Sequence, residues 1–208
     1  MARHHSAPSV QGLQRHRCAK SADLASRRCR SDQACVAASR GRRSLVGHSW
    51  AGAVVTEAGN AENVKGLVYL SALVPDAWES VSEILQKQNV SMEGLAPDHE
   101  VLVWLDDPKI YARVMAADVS AFRIAVLAAT QQPISVKTFS EPVTTAAWTT
   151  KPSCSLVTER DNALPTHVQQ WLVQHIGATT TTINSGHMSI ISHREAVAVV
   201  IARAAQQL

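Results

Sequence analysis

The stretch that decides the fold of this chain is SLVGHSWAG, at residues 44–52. Its first three residues suit the end of a short strand, and Gly47 follows them directly. Ser49 comes two positions later, and the mostly small side chains of residues 50–58 then predict a helix that ends at Gly59. The sequence therefore predicts a tight strand-to-helix turn with a serine hydroxyl exposed at its tip.

Strands and helices alternate on both sides of this turn. The nearly continuous apolar run at residues 66–73 is typical of a parallel strand that is covered on both faces. Further along, we predict a strand at 154–157, a helix at 165–176, a β-branched strand at 179–183 and a final helix at 194–205. This alternation predicts the α/β class, with a mostly parallel sheet flanked by helices.

Residues 75–148 interrupt the alternation. They contain predicted helical segments at 78–88, 108–117 and 119–131, which prolines separate from one another. We interpret this region as a helical cap inserted above the sheet. Helices packed directly on a face of the sheet are the alternative.

The first 43 residues differ from the rest of the chain. They contain ten Lys or Arg and two Asp, whereas residues 44–208 contain ten Lys or Arg and fifteen Asp or Glu. They show neither strand nor helix periodicity, and their few apolar residues offer little area to offset the entropy of ordering. We therefore expect residues 1–43 to be disordered, or to come from a gene translated out of frame, and residues 44–208 to form one domain. A basic arm for nucleic acid and a transit peptide are the alternatives.

The sequence gives no sign of a metal, a cofactor, a nucleic acid or a membrane. No apolar stretch approaches the roughly 18 residues of a membrane span. Cys18, Cys29 and Cys35 match no common zinc spacing, and no glycine-rich phosphate loop is present. We expect no metal site, no cofactor, no nucleic-acid partner and no membrane partner. Because we find no secretory signal, the cytoplasm is the expected location.

Residues 44–208 resemble the α/β-hydrolase superfamily, and within it the small-esterase branch that includes plant methylesterases, hydroxynitrile lyases and their bacterial relatives. The segments that resemble this branch are VGHSWAG at 46–52, GLVY at 66–69, VPDA at 74–77, SGH at 185–187, and FSEPV to Trp148 from residue 139, with Lys151 and Pro152 after it. The family usually has glycine where this chain has Ala51, a change that adds one methyl group.

The resemblance implies a catalytic triad in which Ser49 is the nucleophile, His187 the general base and Asp161 the acid that orients the base. His187 follows the predicted strand at 179–183, where the family places its base. Asp161 lies in a loop between a strand and a helix, where the family places its carboxylate. Glu159 of the same loop is the alternative acid.

The family builds its oxyanion hole from two backbone donors. One is the N–H of the residue after the nucleophile, here Trp50, and the other lies in a His-Gly loop that we do not find in residues 1–43. Loss of one donor typically lowers the rate by on the order of 10²–10³-fold. The family's first strands are not recognisable there either, so the strand at 44–46 would have an open apolar edge on which a homodimer could form.

These features predict a serine hydrolase that acts on a small carboxylic ester. Trp78, Trp104 and Phe122 are candidates for lining an apolar substrate pocket, and each is also a candidate core residue. A catalytically impaired hydrolase fragment that lacks the oxyanion loop is one alternative.

An enzyme of the hydroxynitrile-lyase type is the other alternative. Such an enzyme would use the same triad for proton transfer and would need a cation for the cyanide charge. Lys87, Lys109 and Lys137 are the only lysines of the predicted cap that could supply it.

Overall fold

The computed structural model describes residues 34–39, 41–91 and 96–206. Six strands lie within these residues: β1 (Arg43–His48), β2 (Val64–Leu70), β3 (Leu102–Val103), β4 (Ile134–Ser135), β5 (Ser153–Thr158) and β6 (Thr179–Ile183). Strands β1, β2, β5 and β6 form a parallel sheet in that order. The predicted parallel sheet is therefore confirmed, with strand bounds within a few residues of the predicted ones.

From β1 onward, eight α-helices lie in the described part of the chain: α1 (Ala51–Ala58), α2 (Val81–Lys87), α3 (Pro108–Val114), α4 (Ala121–Ala129), α5 (Lys137–Ser140), α6 (Thr166–His175), α7 (Ser189–Ser192) and α8 (Arg194–Gln206). A 3₁₀ turn covers Ala147–Thr149. Every helix predicted from the sequence is present. The short helices α5 and α7 and the 3₁₀ turn were not predicted, because so few residues show no helical period.

The register of the sheet brings the carboxyl ends of its strands to one edge. His48 at the end of β1 lies beside Leu70 of β2, and Leu70 lies beside Leu156 of β5. Thr158, the last residue of β5, lies beside Ile183, the last residue of β6. The loops that follow β1, β5 and β6 therefore leave the sheet at the same edge, which is where ligands bind in parallel α/β sheets.

The two faces of the sheet are covered by different helices. Leu67 and Tyr69 of β2 belong to a large core cluster that also contains buried residues of α1, α2 and α6. Val68 and Leu70, which alternate with them, pack in a second cluster with buried residues of α8. Because side chains alternate between the faces of a strand, this near-continuous apolar run supplies both cores at once.

The region between β2 and β5 contains two kinds of structure. Helix α2 packs into the large core beside the sheet through Val81, Ile84 and Leu85. Helices α3 and α4 instead build a separate small cluster around Tyr111 and Ile124. Strands β3 and β4, which flank α3 and α4 in the chain, pair antiparallel. The pairing of these strands was not predicted from the sequence. Their two-residue length leaves too little pattern to recognise.

The residues just before β1 are attached to the domain. Residues 34–38 are helical, and the Asn63 side chain donates to the carbonyl oxygens of Val36 at 2.6 Å and Ser39 at 2.8 Å. Within the described residues β1 is an edge strand, and Val46 on it is 41% exposed. The expectations for residues 1–33 and for residue 40 lie outside the described part of the chain.

None of the helices in the described residues is both long and apolar enough to cross a membrane.

Candidate active site

The turn between β1 and α1 holds Ser49 in a left-handed backbone conformation, with a φ of 56°. A residue with a side chain rarely adopts this conformation, so surrounding contacts must hold it there. The Ser49 N–H donates to the carbonyl oxygen of Leu70 at 3.2 Å. The Ser49 carbonyl oxygen accepts from the N–H groups of Gly52 at 3.0 Å and Leu73 at 3.1 Å. Strand β2 and its following loop thus fix the turn.

The glycines around Ser49 are required by close backbone approach. A Cβ atom on Gly47 would lie 2.7 Å from the carbonyl oxygen of Ala51. On Gly52 it would lie 2.2 Å from the carbonyl oxygen of Leu73, which leaves no room for any side chain. The structure accommodates the methyl group of Ala51 itself, the position where the family usually has glycine.

His187 and Asp161 meet in the interior at the carboxyl edge of the sheet. His187 Nδ1 lies 2.7 Å from Asp161 Oδ2, and both residues are buried. Because the carboxylate can only accept, Nδ1 must carry the proton and donate. His187 Nε2 is buried and has no hydrogen-bond partner among the described residues. The imidazole is thus oriented with the lone pair of Nε2 available to accept a proton.

The Asp161 carboxylate is held by four further donors. Its Oδ1 accepts from the N–H groups of Ala163 at 2.9 Å and Leu164 at 2.8 Å. Its Oδ2 accepts from Thr158 Oγ1 at 2.8 Å and from Gln169 Nε2 at 2.9 Å. Burial alone would raise the pKa of this carboxyl group, but hydrogen bonding and the charge interaction with the neighbouring imidazole lower it below its usual value. Asp161 is therefore ionised, and its carboxylate is fixed by hydrogen bonds to both oxygens.

Glu159, the other predicted acid, has a solvent-exposed side chain. The carboxylate in contact with the imidazole is that of Asp161. Thr158 and Gln169 were not singled out from the sequence, although both are part of this network. Thr158 could have been noticed as the last polar residue of a buried strand, whereas Gln169 on a predicted helix gave no signal.

His48, next to Ser49, reaches across to the base. Its Nε2 donates to the backbone carbonyl oxygen of His187 at 2.9 Å, and the two rings lie 4.6 Å apart with a tilt of 48°. Burial, together with the proximity of His187, lowers the pKa of His48 to about 4. His48 is therefore neutral at pH 7. Through it, the strand that leads into Ser49 and the loop that carries His187 are in direct contact.

Trp50, predicted to provide an oxyanion donor, directly precedes α1. Its backbone is helical, and its indole Nε1 donates to the carbonyl oxygen of Thr138 at 3.2 Å. The residue after the nucleophile therefore contacts the region between β2 and β5. Its role as an oxyanion donor stays a prediction.

The three aromatic residues predicted to line a pocket are all exposed. Trp78 is 74% exposed, Phe122 is 83% exposed and Trp104 is 42% exposed. The indole of Trp104 donates to Asp98 Oδ2 at 2.8 Å. Their assignment to substrate binding stays a prediction.

An open cavity of about 510 Å³ lies between the start of α4 and the segment that joins α7 to α8. Asp118, Arg123 and His193 are among its lining residues, whereas Ser49 and His187 are not. In the described part of the chain, no three His, Cys, Asp or Glu side chains are grouped so that they could hold a metal ion.

A family model described as "Alpha/beta hydrolase family" matches residues 3–200 of the sequence. The chain belongs to the alpha/beta hydrolase family. The predicted resemblance is confirmed, and this α/β-hydrolase has the fold class that its sequence predicted. The matched range extends into the first 43 residues, most of which lie outside the described structure.

Solved structures with the same fold include several named esterases or hydrolases. A pyrethroid hydrolase from Sphingobium faniae JZ-2 has a TM-score of 0.72 at 20% identity, with 84% of this chain and 74% of that one covered. Polyneuridine aldehyde esterase has a TM-score of 0.70 at 19% identity, with 84% and 77% covered. A methylesterase from Arabidopsis has a TM-score of 0.68 at 18% identity, with 86% and 76% covered. Among curated proteins, none matches this chain.

Proposed function

We propose that this α/β-hydrolase cleaves carboxylic esters, with Ser49 as nucleophile, His187 as general base and Asp161 as the acid that orients the base. The observation that carries the proposal is the 2.7 Å contact between His187 Nδ1 and Asp161 Oδ2. That contact leaves Nε2 as the ring nitrogen available for proton transfer. The strained conformation of Ser49 supports the same role, because it presents a hydroxyl at the tip of a tight turn.

The reaction proceeds in two steps, acylation of Ser49 and deacylation by water. Ser49 Oγ attacks the ester carbonyl carbon while its proton moves to His187 Nε2, and the resulting imidazolium then protonates the departing alcohol. This leaves an acyl group on Ser49. A water molecule attacks the acyl carbon and gives its proton to Nε2, and the proton returns to Ser49 as the carboxylic acid leaves. Asp161 stays ionised throughout and stabilises the imidazolium.

The oxyanion formed in each step needs donors close to Ser49. We assign one of them to the backbone N–H of Trp50, which lies at the start of α1. The amino end of a helix has a partial positive charge, so this position favours the developing negative charge.

The substrate class rests on the similar structures. Two of them are named for ester hydrolysis, polyneuridine aldehyde esterase and the Arabidopsis methylesterase. We propose a small carboxylic ester whose apolar part contacts the exposed rings of Trp78, Trp104 and Phe122. Of the three lysines that could supply the cation for the lyase alternative, Lys87 lies 2.5 Å from Glu79 and is engaged in an ion pair there.

Hydrolysis of p-nitrophenyl acetate by the wild type and by Ser49→Ala tests this proposal. We expect the wild type to turn over the ester and Ser49→Ala to retain only the slow rate left without a nucleophile. Ser82→Ala is the matched control, because it removes a hydroxyl from α2 that bonds only to Ser80 in the described structure. It should have wild-type activity. Equal rates for Ser49→Ala and the wild type would exclude Ser49 from the mechanism.

Labelling with a fluorophosphonate probe tests the nucleophile without choosing a substrate. We expect a covalent adduct on Ser49, located by mass spectrometry of the digested protein. If the folded wild type neither reacts with the probe nor hydrolyses the ester, the chain is the impaired hydrolase that the sequence left open.

A further inference from the structure

The loop that carries His187 is bound by a carboxylate that the proposed reaction does not use. Asp118 lies between α3 and α4. Its Oδ2 accepts from the Gly186 N–H, from Ser185 Oγ and from Ser192 Oγ, each at 2.9 Å. His193 Nδ1 lies 3.5 Å from the same oxygen. Three donors, one of them the backbone N–H next to His187, thus converge on one oxygen atom.

This carboxylate is largely, though not fully, buried. The Asp118 side chain is only 10% exposed, and its Oδ1 is buried without a partner among the described residues. A Cβ atom on Gly186 would lie 3.0 Å from that oxygen, so the carboxylate packs directly against the loop backbone. Burial would raise the pKa of Asp118, but the bonds from Gly186, Ser185 and Ser192 hold it below its usual value. Hydrogen bonds to an ionised carboxylate are stronger than those to a neutral acceptor, so Asp118 stabilises the positions of its three donors.

Residues shortly before Asp118 also contact the residue after His187 and the loop that carries Asp161. The Met188 N–H donates to the carbonyl oxygen of Met115 at 3.1 Å. Asn162 Nδ2 donates to the carbonyl oxygen of Arg113 at 2.8 Å. Residues 113–118 are therefore bonded to the residues immediately before and after His187, and to the residue after Asp161.

We propose that Asp118 is a positioning residue that fixes the backbone of the His187 loop, so that Nδ1 stays on Asp161 and Nε2 stays available to accept the proton of Ser49 in the proposed reaction. Asp118 acts through Ser185 and Gly186 and does not touch the reacting atoms. The inference rests on the proposed function for its effect on rate. A purely structural role would lower stability and leave the orientation of the imidazole unchanged.

The test compares Asp118→Ala and Asp118→Asn with Glu57→Gln. The control is matched, because the Glu57 carboxylate also holds a loop: it accepts from the Thr144 N–H and Oγ1, each at 2.6 Å. For Asp118→Ala we expect kcat to fall by on the order of 10²-fold with little change in KM, since misplacement by about 1 Å has that effect. Asp118→Asn keeps an acceptor oxygen and should recover part of the loss. Glu57→Gln should keep the wild-type kcat.

A second measurement does not depend on activity. The Nδ1 proton of His187, bonded to a carboxylate, should give a low-field ¹H NMR signal in the wild type, assigned by its loss in His187→Gln. We expect this signal to broaden or disappear in Asp118→Ala and to persist in Glu57→Gln. If Asp118→Ala does not fold, the comparison is made with Asp118→Asn and Ser185→Ala.

The outcomes separate this inference from the proposed function. If the wild type has no esterase activity but the signal depends on Asp118, the proposed function fails and the positioning role stands. If the wild type is active and the folded Asp118 variants keep both kcat and the signal, the positioning role is wrong and the proposed function is unaffected.

Discussion

The backbone of His187 is bonded to the side chain of His48, whose Nε2 donates to the His187 carbonyl oxygen at 2.9 Å. The two residues are 139 positions apart in the chain. His48 ends the strand that leads into Ser49, so this one bond couples the position of the base to that of the nucleophile. Because a carbonyl oxygen can only accept, the bond requires a hydrogen on His48 Nε2. Burial keeps the ring neutral, so its one N–H is at Nε2.

The low pKa of His48 predicts a pH-dependent stability. The pKa is about 4 in the folded protein and 6.5 in the unfolded chain, so the unfolded state binds the proton more tightly. The neutral His48 ring therefore contributes to the free energy of unfolding, and this contribution is fully present above pH 6.5 and lost as the pH falls towards 4. A pKa shift of this size corresponds to at most about 3 kcal/mol.

Thermal unfolding of the wild type and His48→Phe, from pH 7 to pH 4.5, measures this contribution. Phenylalanine keeps a ring but cannot titrate or donate to His187. We therefore expect the variant to be less stable at pH 7 and the difference in Tm to narrow as the pH falls. A difference in Tm that is constant over this range would show that His48 does not titrate as described.

The choice of acid predicts different effects for two neighbouring carboxylates. Asp161→Asn removes the acceptor that orients His187, and we expect kcat to fall by on the order of 10³–10⁴-fold. Glu159 is exposed, so Glu159→Gln should change kcat by less than about twofold. Steady-state ester hydrolysis by both variants is the measurement. A large loss in Glu159→Gln with little in Asp161→Asn would reverse the assignment.

Gln169 is predicted to support the stability of the fold. Its Nε2 has two N–H groups and lies within hydrogen-bond distance of Asp161 Oδ2, Leu164 O and Thr158 Oγ1. Its Oε1 accepts from the Thr158 N–H. Gln169→Leu would leave these buried groups short of partners, and we expect a loss of about 2–3 kcal/mol in the free energy of unfolding.

The exposed neighbour of Gln169 provides the control. Gln170→Leu makes the same chemical change on the same helix and should alter stability by less than about 0.5 kcal/mol. Urea unfolding followed by circular dichroism measures both variants. Equal stability of the two would mean that the buried network contributes nothing measurable.

Gly52 should tolerate no side chain. Its Cβ would lie 2.2 Å from the carbonyl oxygen of Leu73, so Gly52→Ala must displace backbone, and we expect a loss of about 3 kcal/mol. Gly177→Ala is the comparison, because Gly177 has a φ of 63° but nothing within 4 Å of its Cβ position. Only backbone strain applies there, about 1–2 kcal/mol. In thermal unfolding, Gly52→Ala should have a clearly lower Tm than Gly177→Ala.

The elements around the proposed site could be predicted because their signals are local. The strand at Thr179–Ile183 has the predicted bounds, since a run of β-branched residues lies between a helix end and a loop. Helix α3 begins at Pro108, and Asp107 before it accepts from the Lys109 N–H at 2.7 Å, a start that proline at the first helical position favours.

The partners of the site residues could not be predicted in the same way. Asp118 and Gln169 are single polar residues in segments whose patterns say only whether they are helical. Their bonds to Gly186 and Asp161 cross 68 and 8 positions of the chain and depend on how whole elements pack. No period or spacing in the sequence contains that information.

The sequence by itself determined the order of strands and helices, the turn at Ser49 and the family, because hydrophobic periodicity and glycine positions act over a few residues at a time. Only the tertiary structure decided which carboxylate meets His187, and which side chains hold the loops in place. Those contacts arise where strand ends from distant parts of the chain converge at one edge of the sheet, and there most buried polar groups are hydrogen-bonded.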